Sequence, residues 1–258
     1  MFEFCVLGSG SAGNSAVVRT GEATFLVDAG MSAKQLCLRL EQVGVDPDKL
    51  DGVVLTHEHG DHTRGLDVFC RKRPLDVYCN IRTREVLRHK IESEVSWRLF
   101  ESGDSFPIGN VQVQSFYIPH DAVEPMGFVF RQGEGSFGLV SDIGHPTTLV
   151  KDHLKGVDSL FVEANYDDLM LQNDTKRPWS TKQRISSRHG HLSNDQAAEL
   201  VEAIAKENLH QVVLGHLSRD CNSPNVALAA IQDRLVSNGW NEVEVRVATQ
   251  NEVIPFQS

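Results

Sequence analysis

The feature that most constrains this chain is a run of three histidines and two acids, His57-Glu58-His59-Gly60-Asp61-His62, directly after the apolar segment 53–55. A loop that leaves a buried strand can converge several side chains on one point. An extended His57-x-His59 pair can reach one metal ion, and the turn at Gly60 lets Asp61 and His62 face a second. Surface histidines rarely cluster at this spacing, so the run predicts a two-metal site at the end of a β-strand.

A two-metal site needs further ligands, and three candidates also stand after predicted strands. His120 follows the predicted strand 111–117, Asp142 follows 136–141, and His216 follows 211–215. An isolated loop histidine or aspartate is more often a surface residue than a ligand. The shared position at strand ends nevertheless favours ligation, so we predict that these three side chains complete the site.

Strand-like and helix-like segments alternate along the 258 residues, and no repeat or linker-like tract divides them. β-prone runs predict strands at 2–7, 15–19, 24–28, 53–55, 75–79, 111–117, 127–131, 136–141, 158–163, 211–215 and 243–248. Apolar periodicity predicts helices at 32–44, 64–73, 82–92, 147–155, 193–206 and 224–238, and the polar stretch 169–190 predicts a long loop. The pattern predicts an α/β (α+β) fold with a single domain over residues 1–258.

The composition is that of a soluble globular protein, with 40% apolar and 23% charged residues and no apolar run long enough to span a membrane. The segment 1–10 lacks the pattern of a secretory signal and predicts a β-strand instead. The five cysteines are an odd number without close pairing, which is typical of reduced thiols. We therefore expect a cytoplasmic protein.

The formal charge of −10 argues against a protein that coats nucleic acid through bulk electrostatics. A polyanion would need a local basic patch. One basic stretch contains Arg71, Lys72, Arg73, Arg82, Arg84, Arg88 and Lys90. A second, without an acidic residue between its ends, contains Lys176, Arg177, Lys182, Arg184 and Arg188. A solvated surface is the alternative interpretation of both.

Taken in order along the chain, these motifs carry a family resemblance. The run 56–62, then His120, then the segments 141–144 and 215–216, resemble the metallo-β-lactamase superfamily along nearly the whole chain. Within the superfamily, the bacterial YycJ (VicX, WalJ) group is similar at segments 8–15, 119–122, 163–166, 190–194 and 215–218. The resemblance implies an αββα sandwich of two mixed β-sheets flanked by helices, with the site at the edge between the sheets.

The resemblance also implies the ligand roles in a centre of two divalent metal ions. One ion would be held by His57, His59 and His120, the other by Asp61, His62 and His216, and both by a bridging Asp142. Nitrogen-rich ligation favours zinc, although mixed nitrogen and oxygen ligands also accept manganese or iron. We expect a hydroxide that bridges the metals to attack a substrate phosphate, with Asp61 orienting the hydroxide and helping to accept its proton.

Two residues outside the ligand set resemble the acid machinery of the tRNA-maturing nucleases in this superfamily. His191 would protonate the leaving group, and Glu163 would orient His191. A capping or surface position is the alternative for His191. His189 has no counterpart in those nucleases.

Residues around the site provide candidate substrate contacts. The Gly-rich run 8–15 lacks the lysine and the spacing of a P-loop, so we interpret it as a turn at the rim of the site. The candidate contacts are the rim side chains and the second basic stretch: Ser11, Asn14, Asn165, Ser218, Lys176, Arg177, Lys182, Arg184 and Arg188.

The leading functional prediction is a metal-dependent phosphodiesterase that acts on nucleic acid, because the basic stretch 176–188 immediately precedes His191. The YycJ resemblance implies a DNA exonuclease that works from a 5′ end in repair. One alternative is a small-molecule phosphodiesterase or thioester hydrolase with the same centre. Another is a metal-dependent binding or regulatory module, which the full ligand set together with Glu163 and His191 disfavours.

Overall fold

The computed structural model describes residues 2–257. The strands are β1 (Glu3–Gly8), β2 (Ser15–Arg19), β3 (Thr24–Val27), β4 (Gly52–Val54), β5 (Asp76–Asn80), β6 (Ser96–Phe100), β7 (Ser105–Ile108), β8 (Val111–Tyr117), β9 (Met126–Gln132), β10 (Gly135–Val140), β11 (Ser159–Glu163), β12 (Gln211–Gly215), β13 (Glu244–Val247) and β14 (Ile254–Gln257). The helices are α1 (Ala33–Gln42), α2 (Gly60–Thr63), α3 (Leu66–Cys70), α4 (Ile81–Leu87), α5 (Thr148–Leu154), α6 (Asp168–Asn173), α7 (Trp179–Ile185), α8 (Asn194–Ile204) and α9 (Pro224–Ser237), and a 3-10 helix covers Pro47–Lys49.

The strands form two seven-stranded sheets. The first has the order β14-β1-β2-β3-β4-β5-β6, antiparallel from β14 to β3 and parallel from β3 to β6. The second has the order β13-β12-β11-β10-β9-β8-β7, parallel from β13 to β10 and antiparallel from β10 to β7. Parallel neighbours need crossover connections, and the helices α1 to α9 all lie in them. Both sheets are therefore mixed, as the resemblance implied.

Three apolar clusters hold four layers together. Between the sheets, the ring of Phe4 stacks on that of Phe137 with centroids 4.0 Å apart, and Phe25 packs near Phe130. A second cluster joins the outer face of the first sheet to α1 and α3, and a third joins the outer face of the second sheet to α5, α8 and α9. The layers run helix, sheet, sheet, helix, which confirms the predicted αββα sandwich.

Side-chain caps fix the starts of α1 and α8. The hydroxyl of Ser32 accepts a hydrogen bond from the backbone N–H of Gln35. Ser193 and Gln196 form a complete capping box, in which each side chain accepts from the backbone of the other. The helices that pack on each sheet thus begin where the sequence pattern indicates.

Other boundaries differ from the predictions. The predicted helix 64–73 is shorter in the structure, where α3 covers only Leu66–Cys70 and the separate short helix α2 precedes it. Gly65, at which a Cβ would overlap the carbonyl oxygen of Met31, lies between the two helices. The predicted loop 169–190 contains α6 and α7. Neither helix shows an apolar stripe, since α6 buries only Leu171 and α7 buries no residue. Within residues 2–257, no helix has both the length and the apolar character needed to cross a membrane.

Candidate metal centre

The predicted ligands come from loops at one edge of the two sheets. The loop 57–62 follows β4 in the first sheet, and His120, Asp142 and His216 follow β8, β10 and β12 in the second. Asp142 and His216 have φ angles of 53°, and Asp28, after β3, has a φ of 62°. In the described part of the chain these three are the non-glycine residues with positive φ, a conformation that costs on the order of 1–3 kcal/mol. Backbone strain is thus concentrated at this edge.

One ligand group contains His57, His59 and His120, whose ring nitrogens lie within 4.8 Å of one another. The Nδ1 of His120 lies 3.0 Å from the carbonyl oxygen of Gly190, to which a protonated nitrogen donates, so Nε2 is left as the free base. The hydroxyl of Thr56 lies 3.0 Å from the Nδ1 of His57. Within residues 2–257, the buried Nε2 atoms of His57 and His120 have no hydrogen-bond partner.

The other group contains Asp61, His62 and His216, whose ligand atoms also lie within 4.8 Å. The Nε2 of His216 is 3.3 Å from Asp61 Oδ2. Asp142 stands between the groups: its Oδ2 is 2.7 Å from the Nε2 of His62. Its Oδ1 is 3.4 Å from the Nε2 of His216 and 3.8 Å from the Nε2 of His120. One carboxylate therefore reaches both groups, as a bridging ligand must.

This donor set fits divalent metal ions. A buried polar atom without a partner costs about 1–3 kcal/mol, and two imidazole nitrogens are in that condition at one point. Burial lowers the pKa of His57 and that of His120, which favours the neutral ring that binds a metal. Burial opposes ionisation of Asp142, but His216 and His62 outweigh it and hold the pKa of that carboxyl well below its usual range.

Asp28 supports the second group, and the sequence analysis missed it. Its Oδ2 lies 2.7 Å from the Nδ1 of His62, and its two oxygens accept hydrogen bonds from the N–H and hydroxyl of Thr56. These contacts orient His62 with its Nε2 toward Asp142. Burial lowers the pKa of His62, but Asp28 and Asp142 outweigh it and raise that pKa to about 10, so metal binding must release the ring proton. The only feature of the sequence that could have indicated Asp28 is its position, because it is an acid directly after a strand.

His191 and Glu163 form a pair beside both groups. The Nδ1 of His191 lies 2.6 Å from Glu163 Oε1, and its ring centroid lies 5.3 Å from the rings of His120 and His216. The same Oε1 lies 2.9 Å from the Nδ1 of His216. Glu163 is fully buried, and its Oε2 accepts a hydrogen bond from the N–H of Ile143. One carboxylate therefore orients the candidate acid and a candidate ligand together.

The predicted substrate contacts on the rim divide into two kinds. The Nδ2 of Asn14 lies 3.2 Å from the Nε2 of His62, and the Nδ2 of Asn165 donates to the carbonyl oxygen of His216 at 2.7 Å. Both amides are buried and support the ligands. The other two rim residues, Ser11 and Ser218, line a surface groove.

The second basic stretch is largely compensated within the protein. Ion pairs join Lys176 and Arg177 to Asp220, and Arg184 to Asp121. Of the remaining two cations, Lys182 donates a hydrogen bond to the carbonyl oxygen of Gln172, and Arg188 is exposed. Ion pairs at a surface contribute only about 0–1 kcal/mol, so a phosphate could displace them. A substrate-binding role of this stretch stays a prediction.

Comparison with known proteins matches both the motifs and the architecture. The family model described as beta-lactamase superfamily domain matches residues 23–217, which contain every predicted ligand from His57 to His216. Exodeoxyribonuclease YycJ of Bacillus anthracis is 35% identical over 92% of this chain and 90% of its own. Exodeoxyribonuclease WalJ of Streptococcus pneumoniae serotype 2 is 34% identical over 91% of this chain and 88% of its own.

Among solved structures, the metallo-beta-lactamase fold protein YhfI from Bacillus subtilis superposes with a TM-score of 0.77. The match covers 98% of each chain at 16% sequence identity. At that identity the similarity concerns the fold alone, and it agrees with the four-layer arrangement of sheets and helices.

Proposed function

This chain belongs to the β-lactamase superfamily and, within it, to the family of the YycJ and WalJ exodeoxyribonucleases, and from that membership we propose that it is a metal-dependent DNA exonuclease. One observation carries the proposal: two ligand groups joined by Asp142 converge at one sheet edge, with the Glu163–His191 pair beside them. Two adjacent metal ions and a nearby acid suit the cleavage of a phosphodiester.

The ligand roles follow the two groups. One ion would be held by His57, His59 and His120, the other by Asp61, His62 and His216, and both by Asp142. Such ions, when bound, lower the pKa of a water and take up negative charge from a phosphate. Asp28 and Glu163 hold ligand rings in orientation from outside the groups.

Protein side chains move the protons in the proposed reaction. Asp61, whose carboxylate lies beside the Nε2 atoms of His62 and His216, orients the attacking water and accepts its proton. His191 donates a proton to the oxygen of the leaving group, within the pocket that it lines with His120. Glu163 accepts a hydrogen bond from the Nδ1 of His191, which keeps the other ring nitrogen directed toward the substrate.

Zinc is the ion that we propose, because imidazole nitrogens dominate both ligand groups, with manganese or iron as alternatives. Elemental analysis of the purified protein is expected to find zinc at two ions per chain. Activity should return when zinc is restored to stripped protein. Recovery with manganese or iron alone would contradict zinc while leaving the ligand assignment intact.

The substrate is tested with metal-loaded protein on single- and double-stranded DNA labelled at either end, with RNA of the same sequence alongside. We expect mononucleotides from the 5′ end of DNA, and we expect His59→Ala to lose both metal and turnover. Internal fragments would contradict exonuclease action, and cleavage of RNA alone would contradict DNA as substrate. Turnover of small phosphodiesters or thioesters without nucleic acid cleavage would favour the small-molecule alternative. A role in repair predicts that cells lacking the protein become sensitive to DNA damage.

A further inference from the structure

A surface groove of about 310 Å³ opens next to the metal centre. The residues that line it come from three segments: 9–11, then 217–219 with 222–224, and 248–251. The first segment belongs to the turn at the rim of the site, and the second begins directly after the ligand His216. The groove therefore adjoins the centre through the segment that follows His216.

Hydrogen bonds connect the inner wall of the groove to the ligands. The backbone N–H of His216 donates to the hydroxyl of Ser9 at 2.7 Å, and that hydroxyl donates to the Oδ1 of Asn14 at 2.8 Å. Asn14 in turn contacts His62. A chain that lies in the groove would thus run up to the ligand group of Asp61, His62 and His216.

The groove differs from the neighbouring pockets in charge. In a chain with a net charge of −10, none of the described residues that line it is a carboxylate. Its polar lining consists of serine and threonine hydroxyls, asparagine and glutamine amides, and the guanidinium of Arg219. By contrast, the pocket beside His191 includes Asp121 along with Arg184, and the pocket next to α7 includes Asp168 along with Lys182. Of these three, the groove repels an anion least.

Arg219 is available to a ligand. Its side chain is exposed, and within residues 2–257 it makes no ion pair and no side-chain hydrogen bond. The adjacent carboxylate of Asp220 is held by Lys176 at 2.6 Å and by Arg177 at 3.0 Å, so it is already neutralised. The N-terminus of α9 lies at the groove through Ser223 and adds a favourable dipole for an anion.

We propose that this groove binds the sugar-phosphate backbone of one substrate strand, with Arg219 on a phosphate adjacent to the scissile one. The inference rests on the proposed nuclease function. The pocket of His120 and His191 then takes the leaving group, while the groove, which adjoins His216 in the other ligand group, takes the rest of the strand. Hydroxyl and amide donors suit phosphate and sugar oxygens without reading sequence.

Two variants in the groove test the proposal against a distant control. Arg219→Gln removes the cation, and Asn251→Asp places a carboxylate of the same shape on the exposed lining. Lys49→Gln removes a cation that is 82% exposed and precedes β4, at the opposite edge of the sheets from the centre. Each variant is compared with wild type on a single-stranded DNA oligonucleotide and on bis(p-nitrophenyl) phosphate, which is too small to fill the groove.

We expect the ratio of kcat/KM for the oligonucleotide to kcat/KM for the small diester to fall roughly tenfold in Arg219→Gln and in Asn251→Asp, and to stay unchanged in Lys49→Gln. For Arg219→Gln, the slope of log binding constant against log salt concentration should also decrease by about 0.7, the loss of one phosphate contact on a single strand. If wild type cleaves the oligonucleotide and neither ratio nor slope changes, the groove assignment is wrong and the nuclease assignment stands. If wild type cleaves only the small diester, both are overturned.

Discussion

His191 is the residue whose chemical role separates most cleanly from metal binding. It is not one of the predicted ligands, although it forms a further cluster of potential ligands with Asp142, Glu163 and His216, and Glu163 Oε1 lies 2.6 Å from its Nδ1. We expect His191→Ala to retain both metals and to slow DNA cleavage by about 10²–10⁴-fold. Hydrolysis of bis(p-nitrophenyl) phosphate should fall much less, because nitrophenolate leaves without a proton.

The exposed His210, which precedes β12 at the end of that strand opposite to His216, provides the control, and His210→Ala should change neither rate. Equal losses on DNA and on the activated diester in His191→Ala would show that the ring positions substrate or metal instead of donating a proton.

Asp28 is expected to control metal affinity from outside the ligand groups. Asp28→Asn keeps the shape and tolerates the φ of 62°, but it removes the charge that orients His62. We predict a metal affinity about 10–100-fold weaker, measured by competition with a chromophoric chelator. The control is Asp51→Asn, an exposed acid that accepts a hydrogen bond from the N–H of Thr24. An unchanged affinity in Asp28→Asn would mean that packing alone orients His62.

At the scale of single residues, spacing and strand-end position were enough to predict which side chains converge at one sheet edge, and their role as ligands stays a prediction. The run from His57 to His62 is local, so its chemistry is visible in the sequence. Asp28 and His62 are 34 residues apart in sequence, and only the parallel pairing of β3 with β4 brings them together. An isolated aspartate after a strand is too common a pattern to indicate that contact.

The segment 57–62 is held in position by close packing against the loop that contains Gly30. A Cβ built on Gly30 would overlap the carbonyl oxygen of Asp61, and that oxygen accepts a hydrogen bond from the N–H of Asn14 at 2.8 Å. We expect Gly30→Ala to destabilise the fold by about 1–3 kcal/mol through overpacking and to lower metal content. Thermal unfolding and elemental analysis measure the two effects. Gly21→Ala, where a Cβ meets nothing within 4 Å, should change neither, and a normal metal content in Gly30→Ala would refute this loop contact as a determinant of the site.

Elements with one strongly apolar face were predictable, and those without one were not. α8 buries six residues and begins with a capping box, so its sequence shows both signals. α7 buries no residue, so its sequence shows no apolar face. Strands β6, β7 and β14 were also missed. Each lies at the edge of a sheet with only one paired neighbour, and two of them contain a proline, so the usual apolar run is absent.

For the whole molecule, alternation of strands and helices indicated an α/β class but not the pairing of strands. β1 pairs with β14, although these two strands are about as far apart in sequence as the chain allows. No local pattern encodes that contact. The two mixed sheets followed from the family resemblance instead. A single domain over 1–258 stays a prediction.

The proposed metal centre draws its ligands from both sheets, so bound ions should stabilise the molecule as a whole. The loop 57–62 comes from the first sheet, whereas His120, Asp142 and His216 come from the second. Ligands that bind only the folded state add about 2.7 kcal/mol at 100 times Kd and about 4 kcal/mol at 1,000 times Kd. For a chain of this length we expect zinc to raise Tm by roughly 5–15 °C over chelator-treated protein.

Hydrogen exchange distinguishes a centre that joins the sheets from a site on one of them. Zinc should increase amide protection after β4 and also after β10 and β12, because each of these ends contributes a ligand. His59→Ala should lose most of the gain in Tm, since it removes a ligand from the first group, while His189→Ala should keep it. Protection confined to the ends of one sheet would contradict both ligand groups, because each group combines residues of the loop 57–62 with a histidine from the second sheet.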